Sequence, residues 1–152
     1  MSETVFGNNA VCQVGLVVRD IQKTAQKYCE ILGVEMPPIL ETKGYEISKT
    51  MYKGQDCDAT AKLAFFNLGQ VQIELIEPDA LSSVWRDYLN ENGESVHHIA
   101  FMVKDTDGSV KFLEDHGIGV LQQGLYSDAS GMYTYVDSAP VLGVMLELLQ
   151  NF

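Results

Sequence analysis

The stretch Val96-His97-His98-Ile99-Ala100-Phe101-Met102-Val103-Lys104-Asp105 decides how the chain is read. As a strand it alternates, with Val96, His98, Ala100 and Met102 on one face and His97, Ile99, Phe101 and Val103 on the other. His98 then points inward among apolar residues, where a lone histidine is ordinarily a satisfied core residue. Here the same stretch occurs earlier in the chain with a different polar residue at that place. In Val11-Cys12-Gln13-Val14-Gly15-Leu16-Val17-Val18-Arg19-Asp20, Val11 matches Val96, Gln13 matches His98, and the small Gly15 matches the small Ala100. Val18, Arg19 and Asp20 match Val103, Lys104 and Asp105.

A second pair follows the first. Val71-Gln72-Ile73-Glu74-Leu75-Ile76 matches Val144-Met145-Leu146-Glu147-Leu148-Leu149, so that Glu74 falls on Glu147. The chain is therefore an internal duplication in which each copy carries one inward polar residue on its first strand and one on its last. A pseudo-two-fold relating the copies would bring Gln13, Glu74, His98 and Glu147 together. That set has the oxygen and nitrogen chemistry of a divalent metal site.

Between these anchors the order strand, helix, three strands is expected twice, over modules 10–78 and 95–150 of a single domain spanning 1–152. In the first, a strand at about 11–18 leads to a helix over 21–32, capped by Asp20 and stopped by Gly33. A strand around Tyr45–Tyr52, a polar loop over 53–58, and strands at about 61–67 and 70–77 joined at Asn67-Leu68-Gly69 follow. A linking helix at about 81–91 carries Leu81, Val84, Trp85, Tyr88 and Leu89 on one stripe. The second module predicts a strand at 96–103, a helix at about 106–116 closed by Gly117, and strands near 119–125, 131–137 and 143–149. His116, in a last helical turn, reads as structural, and His97 as a local packing residue turned away from His98. Residues 1–9 read as a loose arm.

The 152-residue chain is 46% hydrophobic, enough for a core, and no apolar run reaches membrane-spanning length. Met1-Ser2-Glu3-Thr4 lacks the basic and apolar regions of a signal peptide, so a cytoplasmic location is expected. Cys12, Cys29 and Cys57 show no paired spacing and read as reduced thiols, with Cys12 and Cys29 packed as small hydrophobes. A net charge of −11 argues against nucleic acid or an anionic membrane as partner. Residues 1–62 carry 7 Lys/Arg and 8 Asp/Glu (net −1), and residues 63–152 carry 3 and 13 (net −10). An anionic ligand tail would therefore favour Arg19, Lys23, Lys27, Lys43, Lys49 and Lys53, if these are more than a solvated surface.

The repeated βαβββ module resembles the vicinal oxygen chelate superfamily, an α+β fold with a half-barrel site. Asn67-Leu68-Gly69 leading into Ile73-Glu74-Leu75-Ile76-Glu77-Pro78, and above all the run Tyr88-Leu89-Asn90-Glu91-Asn92-Gly93-Glu94-Ser95-Val96-His97-His98-Ile99-Ala100-Phe101, are most similar to the methylmalonyl-CoA epimerases. The resemblance covers about residues 10–150. It implies a divalent ion (zinc, cobalt, nickel, manganese or magnesium) held by Gln13, Glu74, His98 and Glu147, an acyl-CoA or glutathione-adduct substrate, and a homodimer. Two features depart from the epimerase pattern, which usually has histidine at the position of Gln13 and glutamine at that of Glu74. The Gln-Glu-His-Glu set resembles instead the zinc site of one glyoxalase I group. Two carboxylates nearly cancel a divalent charge, which holds the metal more firmly but stabilises an oxyanion less. The other departure is a loop, Ala139-Pro140-Val141-Leu142-Gly143, which is apolar.

The chemistry such a site supports is proton abstraction next to a carbonyl, with the enolate stabilised by the metal. Four protein ligands in an octahedral shell leave two positions, which suits chelation by vicinal oxygens. Glu147 is the expected base and Glu74 its partner on the opposite face. No separate second base is evident: the third strand offers Ala61, Lys62, Leu63 and Ala64, and Glu46 lies in an unassigned stretch. The reading is thus an epimerase-like isomerase, with a glyoxalase I-like lactoylglutathione lyase as the alternative. A small-molecule binding or resistance protein on this fold usually lacks the metal ligands, and an iron dioxygenase would need a two-His, one-carboxylate set that Gln13 does not fit.

Overall fold

The computed structural model describes residues 4–152. Its first strand, β1 (Gln13–Val17), alternates buried and half-buried residues and passes through Asp20 into α1 (Ile21–Leu32). Asp20 accepts a hydrogen bond from Lys23 N, and Gly33, at φ 67°, closes the helix from the left-handed region. The chain then makes β2 (Leu40–Glu41), α2 (Tyr45–Ser48), β3 (Met51–Tyr52), β4 (Gln55–Asp56), β5 (Ala61–Leu68) and β6 (Val71–Pro78). The linking helix α3 (Val84–Asn92) is capped by Ser83 and leads to β7 (Ser95–Met102). The second half follows as α4 (Thr106–Asp115), β8 (Val120–Leu125), β9 (Gly131–Val136), α5 (Ala139–Leu142) and β10 (Met145–Asn151).

All ten strands join one curled sheet in the order β2-β5-β6-β1-β7-β10-β9-β8-β3-β4. The first eight places read as two copies of one unit, β2-β5-β6-β1 and β8-β9-β10-β7, meeting at the antiparallel β1–β7 pair. In each copy the first strand pairs in parallel with the last, β1 with β6 and β7 with β10. This is the half-barrel α+β architecture that the resemblance of the repeated module implies. Strand parity divides the core. Val18, Phe66 and Leu75 pack with Ile21 and Ala25 of α1 on one side of the sheet, and Val136, Leu146 and Leu148 pack with Leu113 of α4. On the concave side, Val17, Ile76 and Tyr135 pack against Trp85 and Leu89, so α3 fills one end of the trough.

Four expectations need correction. The stretch 45–52 is not one strand, because Asp58 Oδ1 accepts from Tyr45 N at 3.0 Å and starts the one-turn α2, which Lys49 ends at φ 52°. The first of the three module strands is instead the two-residue β2. The polar loop 53–58 holds a hairpin, in which Lys53 and Gly54 both take positive φ and turn β3 into β4. The apolar stretch at 139–143 is α5, with Pro140 in its first turn. Finally, the arm is anchored where it is described: Phe6 packs 5.4 Å from Phe101, and Asn8 Nδ2 donates to Met102 O at 2.8 Å. Residues 1–3 of that arm lie outside the described residues. Of the cysteines, all free, Cys57 is the buried one, while Cys12 and Cys29 are half-buried. His116 caps α4, its Nδ1 2.8 Å from Phe112 O.

Candidate metal centre

The site is laid out by two rungs of the sheet, with one residue between them on each strand, that share the concave face. On one, Gln72, Gln13, Ala100 and Glu147 lie side by side across β6, β1, β7 and β10. On the other, Glu74, Gly15, His98 and Met145 do so. The rungs exchange under the pseudo-two-fold, as the duplication requires. Each central strand sets one polar residue beside a small one, and the imidazole of His98 lies over Gly15. A Cβ at Gly15 would meet the ring atoms Cε1 and Nδ1, and Nε2 at 2.6 Å. The glycine here is needed for close approach.

Gln13, Glu74, His98 and Glu147 converge on one point of the concave face and are all buried. His98 Nε2 stands 2.9 Å from Glu147 Oε2, 3.4 Å from Glu74 Oε2 and 2.9 Å from Gln13 Oε1. The two carboxylates and His98 offer ligand atoms all within 4.8 Å of one another. Buried carboxylates repel and are poorly solvated. Burial therefore raises the Glu74 carboxyl above its usual range, against the hydrogen bond from His98. For His98, burial works to lower the pKa, but the charges of Glu147 and Glu74 outweigh it and push it up to about 10. The imidazole thus carries its proton between the two carboxylates.

The donor set fits a divalent ion. The Gln13 carboxamide atom turned to the cluster is 3.0 Å from Glu74 Oε2 and 3.1 Å from Glu147 Oε2. With nitrogen in that place it donates to the carboxylates, and with oxygen there three acceptors face one another, an arrangement a cation satisfies. The other end of the amide meets Gln72 Oε1 at 2.7 Å, and Gln72 Nε2 donates to Asn67 Oδ1 at 3.0 Å, which favours oxygen inward.

His97 departs from its expected parity. Between Gly15 and Leu16 the register shifts, so that Gly15 faces His98 and Leu16 faces Val96. His97 is the extra residue of a β-bulge, and two consecutive side chains therefore enter the interior. His97 is buried, whereas Val96, placed by simple alternation on the inner face, is exposed. The local packing role assigned to His97 holds. Its Nε2 is 3.1 Å from Val84 O, and Tyr88 and Tyr135 meet its ring edge-on. It does not turn away from His98, since the two Nδ1 atoms are 3.0 Å apart. Burial, and then the charge on His98, push the His97 pKa down to about 3, so it is neutral.

Above the cluster lies a cavity of about 530 Å³, reached by Gln13, Glu74 and Glu147. Leu63 and Phe65 of β5 form one wall, and Tyr126, Tyr133 and Tyr135 another. Nothing marks these tyrosines in the sequence except the alternation of Tyr133 and Tyr135 along a strand. Tyr135 OH accepts from Trp85 Nε1 at 3.0 Å, and Tyr133 OH is bound by Gln122 Nε2 at 3.1 Å. Of the six basic residues suggested for an anionic tail, Lys43 lines the cavity and the others do not. Glu46 is exposed on α2 and does not line the cavity, whereas Glu41 of β2 does.

A family model for the Glyoxalase/Bleomycin resistance protein/Dioxygenase superfamily matches residues 12–136, from just before β1 to the end of β9. The chain belongs to this superfamily. The match takes in Gln13, Glu74 and His98, while Glu147 lies beyond it. The chain is also similar to the uncharacterized protein YqjC of Bacillus subtilis (strain 168), 25% identical over 143 residues covering 93% of this chain and 92% of that one. Among solved structures, methylmalonyl-CoA epimerase from Mycobacterium tuberculosis superposes with a TM-score of 0.65 at 19% identity, covering 100% of this chain and 93% of its own. A Streptomyces coelicolor methylmalonyl-CoA epimerase variant in complex with 2-nitronate-propionyl-CoA gives 0.63 at 23% identity, with 94% of each chain covered. At these identities the likeness establishes the shared fold. Among the described residues no helix is long and apolar enough to cross a membrane.

Proposed function

We propose that this protein is a divalent-metal-dependent isomerase that abstracts a proton alpha to a carbonyl, in the manner of a methylmalonyl-CoA epimerase. The observation that carries the reading is the convergence of Gln13, Glu74, His98 and Glu147 on one buried point at the floor of a cavity large enough for a small acyl group. Gln13, Glu74, His98 and Glu147 would hold the ion, which when bound supplies Lewis-acid stabilisation to an oxyanion developing on the substrate carbonyl. Glu147 accepts the alpha proton and returns it, and Glu74 faces it across the cluster as the candidate for the opposite face. Leu63 and Phe65 keep water from the carbanion side, and the Trp85–Tyr135 hydrogen bond fixes the wall against which the acyl group rests.

The test is deuterium exchange into methylmalonyl-CoA in heavy water by metal-loaded protein, with Glu147→Gln as control. Exchange that needs both metal and Glu147 is expected. Undiminished exchange by Glu147→Gln would move the base to Glu74. One observation favours a second reading, a glyoxalase I-like lyase: β5 presents Leu63 and Phe65 to the cavity and no carboxylate, so the buried carboxylates that reach it are the two glutamates of the cluster, while Glu41 and Asp128 line it from exposed positions. Turnover of a methylglyoxal–glutathione hemithioacetal without any exchange into methylmalonyl-CoA would select that reading.

A further inference from the structure

We infer that His97 is a positioning residue that fixes His98 in the tautomer whose Nε2 lone pair faces Gln13, Glu74 and Glu147. This rests on the metal reading only for its consequence, since the hydrogen-bond chain is built from Val84, His97 and His98 alone. The chain starts at a group that cannot reverse. Val84 O is a main-chain carbonyl and only accepts, so His97 Nε2, 3.1 Å away, carries a hydrogen. His97 lies buried between the rings of Tyr88 and Tyr135, and the neutral imidazole then has a bare lone pair at Nδ1. That atom faces His98 Nδ1 at 3.0 Å, so His98 must place a hydrogen on Nδ1. What remains toward the cluster is His98 Nε2, which faces Gln13, Glu74 and Glu147.

The opposite tautomer sets two acceptors against each other at Val84 and points an N–H at the position of the ion. The bulge makes the relay possible, because in an unbroken strand residue 97 faces the other side of the sheet. The first half has no such device. Cys12 stands at the repeat position of His97 and bonds Ala100 O through Sγ at 3.3 Å. The amide of Gln13 is oriented instead by Gln72, whose own partner Asn67 is an exposed amide free to turn over.

The experiment is a long-range proton–nitrogen correlation of the imidazoles in nitrogen-15-labelled protein, metal-free and zinc-loaded. His97 is expected with a protonated Nε2 and a bare Nδ1 in both states, and His98 with a protonated Nδ1 in the zinc form. A His97 protonated at Nδ1 overturns the inference, and needs no variant to be seen. Zinc affinity by chelator competition supplies the second measurement. His97→Phe keeps the ring volume without the nitrogens and should bind zinc 10–100-fold more weakly, the usual loss for an orienting partner. His97→Gln can accept at one end and donate at the other, and should restore affinity close to wild type. A folded His97→Phe that binds zinc like wild type overturns the inference. Wild-type protein with the expected His97 pattern that takes up no divalent ion overturns the metal reading and leaves the relay standing.

Discussion

Replacing Gly15 by alanine tests the geometry of the whole site with one methyl group. The new Cβ would sit 2.6 Å from His98 Nε2 and nearer still to Cε1 and Nδ1, where ordinary contact begins at 3.4 Å. The ring must therefore retreat by at least about 0.8 Å, the difference of those two distances. It has nowhere to go cheaply, because His98 is fully buried and hydrogen-bonded at both nitrogens. Overpacking of this kind costs about 1–3 kcal/mol, and a lost buried hydrogen bond adds about 1 kcal/mol, so a loss of about 2–4 kcal/mol is expected. A ligand atom moved that far also exceeds the roughly 0.2 Å tolerance of a metal bond, and affinity should fall by at least about tenfold. Urea unfolding of the metal-free protein gives the first quantity, and zinc titration against a chelator the second. Ala100→Gly, at the pseudo-equivalent position, should cost only about 1 kcal/mol and keep the metal. A Gly15→Ala protein with wild-type stability and zinc affinity would refute the placement of the imidazole over β1.

Further outcomes follow from other contacts. His98→Ala should lose the stoichiometric divalent ion seen in wild type by elemental analysis, whereas retained metal would remove His98 from the site. Because the folded His98 is raised from 6.5 to about 10, its proton stabilises the metal-free protein fully below pH 6.5, and that contribution disappears as pH rises through about 10. Urea midpoints of the metal-free protein should accordingly fall from pH 7 to 10, and a rise would show the carboxylates not to be paired with His98. Arg86 ties α3 to the end of β6 by donating from Nε to Asp79 O at 2.7 Å and from Nη2 to Pro78 O at 2.8 Å. Arg86→Met should cost about 2 kcal/mol in unfolding free energy.

The four clustered residues are legible in the sequence because duplication turns a weak signal into a paired one. A buried polar residue on one strand says little, but Gln13 on His98 and Glu74 on Glu147 mark positions that the pseudo-two-fold must bring together. The helices α1 and α4 are legible for a local reason: Asp20 and Asp105 cap their own first turns. What escapes the sequence depends on partners far along the chain. α2 is started by Asp58, 13 residues away, and the β3–β4 hairpin exists because β3 pairs with β8 in the other module. The segment 42–50 thus links the edge strand β2 to β3 near the opposite edge and lines the cavity through Thr42, Lys43, Ser48 and Thr50, which no local pattern records. The bulge at His97 is likewise a property of the β1–β7 pair.

The duplicated frame offers two pairs of equivalent places, yet their occupants are not interchangeable. The carboxylates are the same in both halves, and the neutral pair differs. The neighbour of each neutral residue follows its size: the flat ring of His98 lies on Gly15, and the slimmer amide of Gln13 faces Ala100. Exchanging Gln13 with histidine and His98 with glutamine therefore requires Gly15→Ala and Ala100→Gly at the same time. That fourfold variant should fold, since the ring-on-glycine and amide-beside-alanine contacts are recreated across the pseudo-two-fold. It should still bind zinc more weakly than wild type, because Cys12 precedes the relocated imidazole and no carbonyl-anchored histidine sets its tautomer. Equal zinc affinity in the fourfold variant and wild type would mean that the rungs alone make the site, and that the bulge at His97 serves packing.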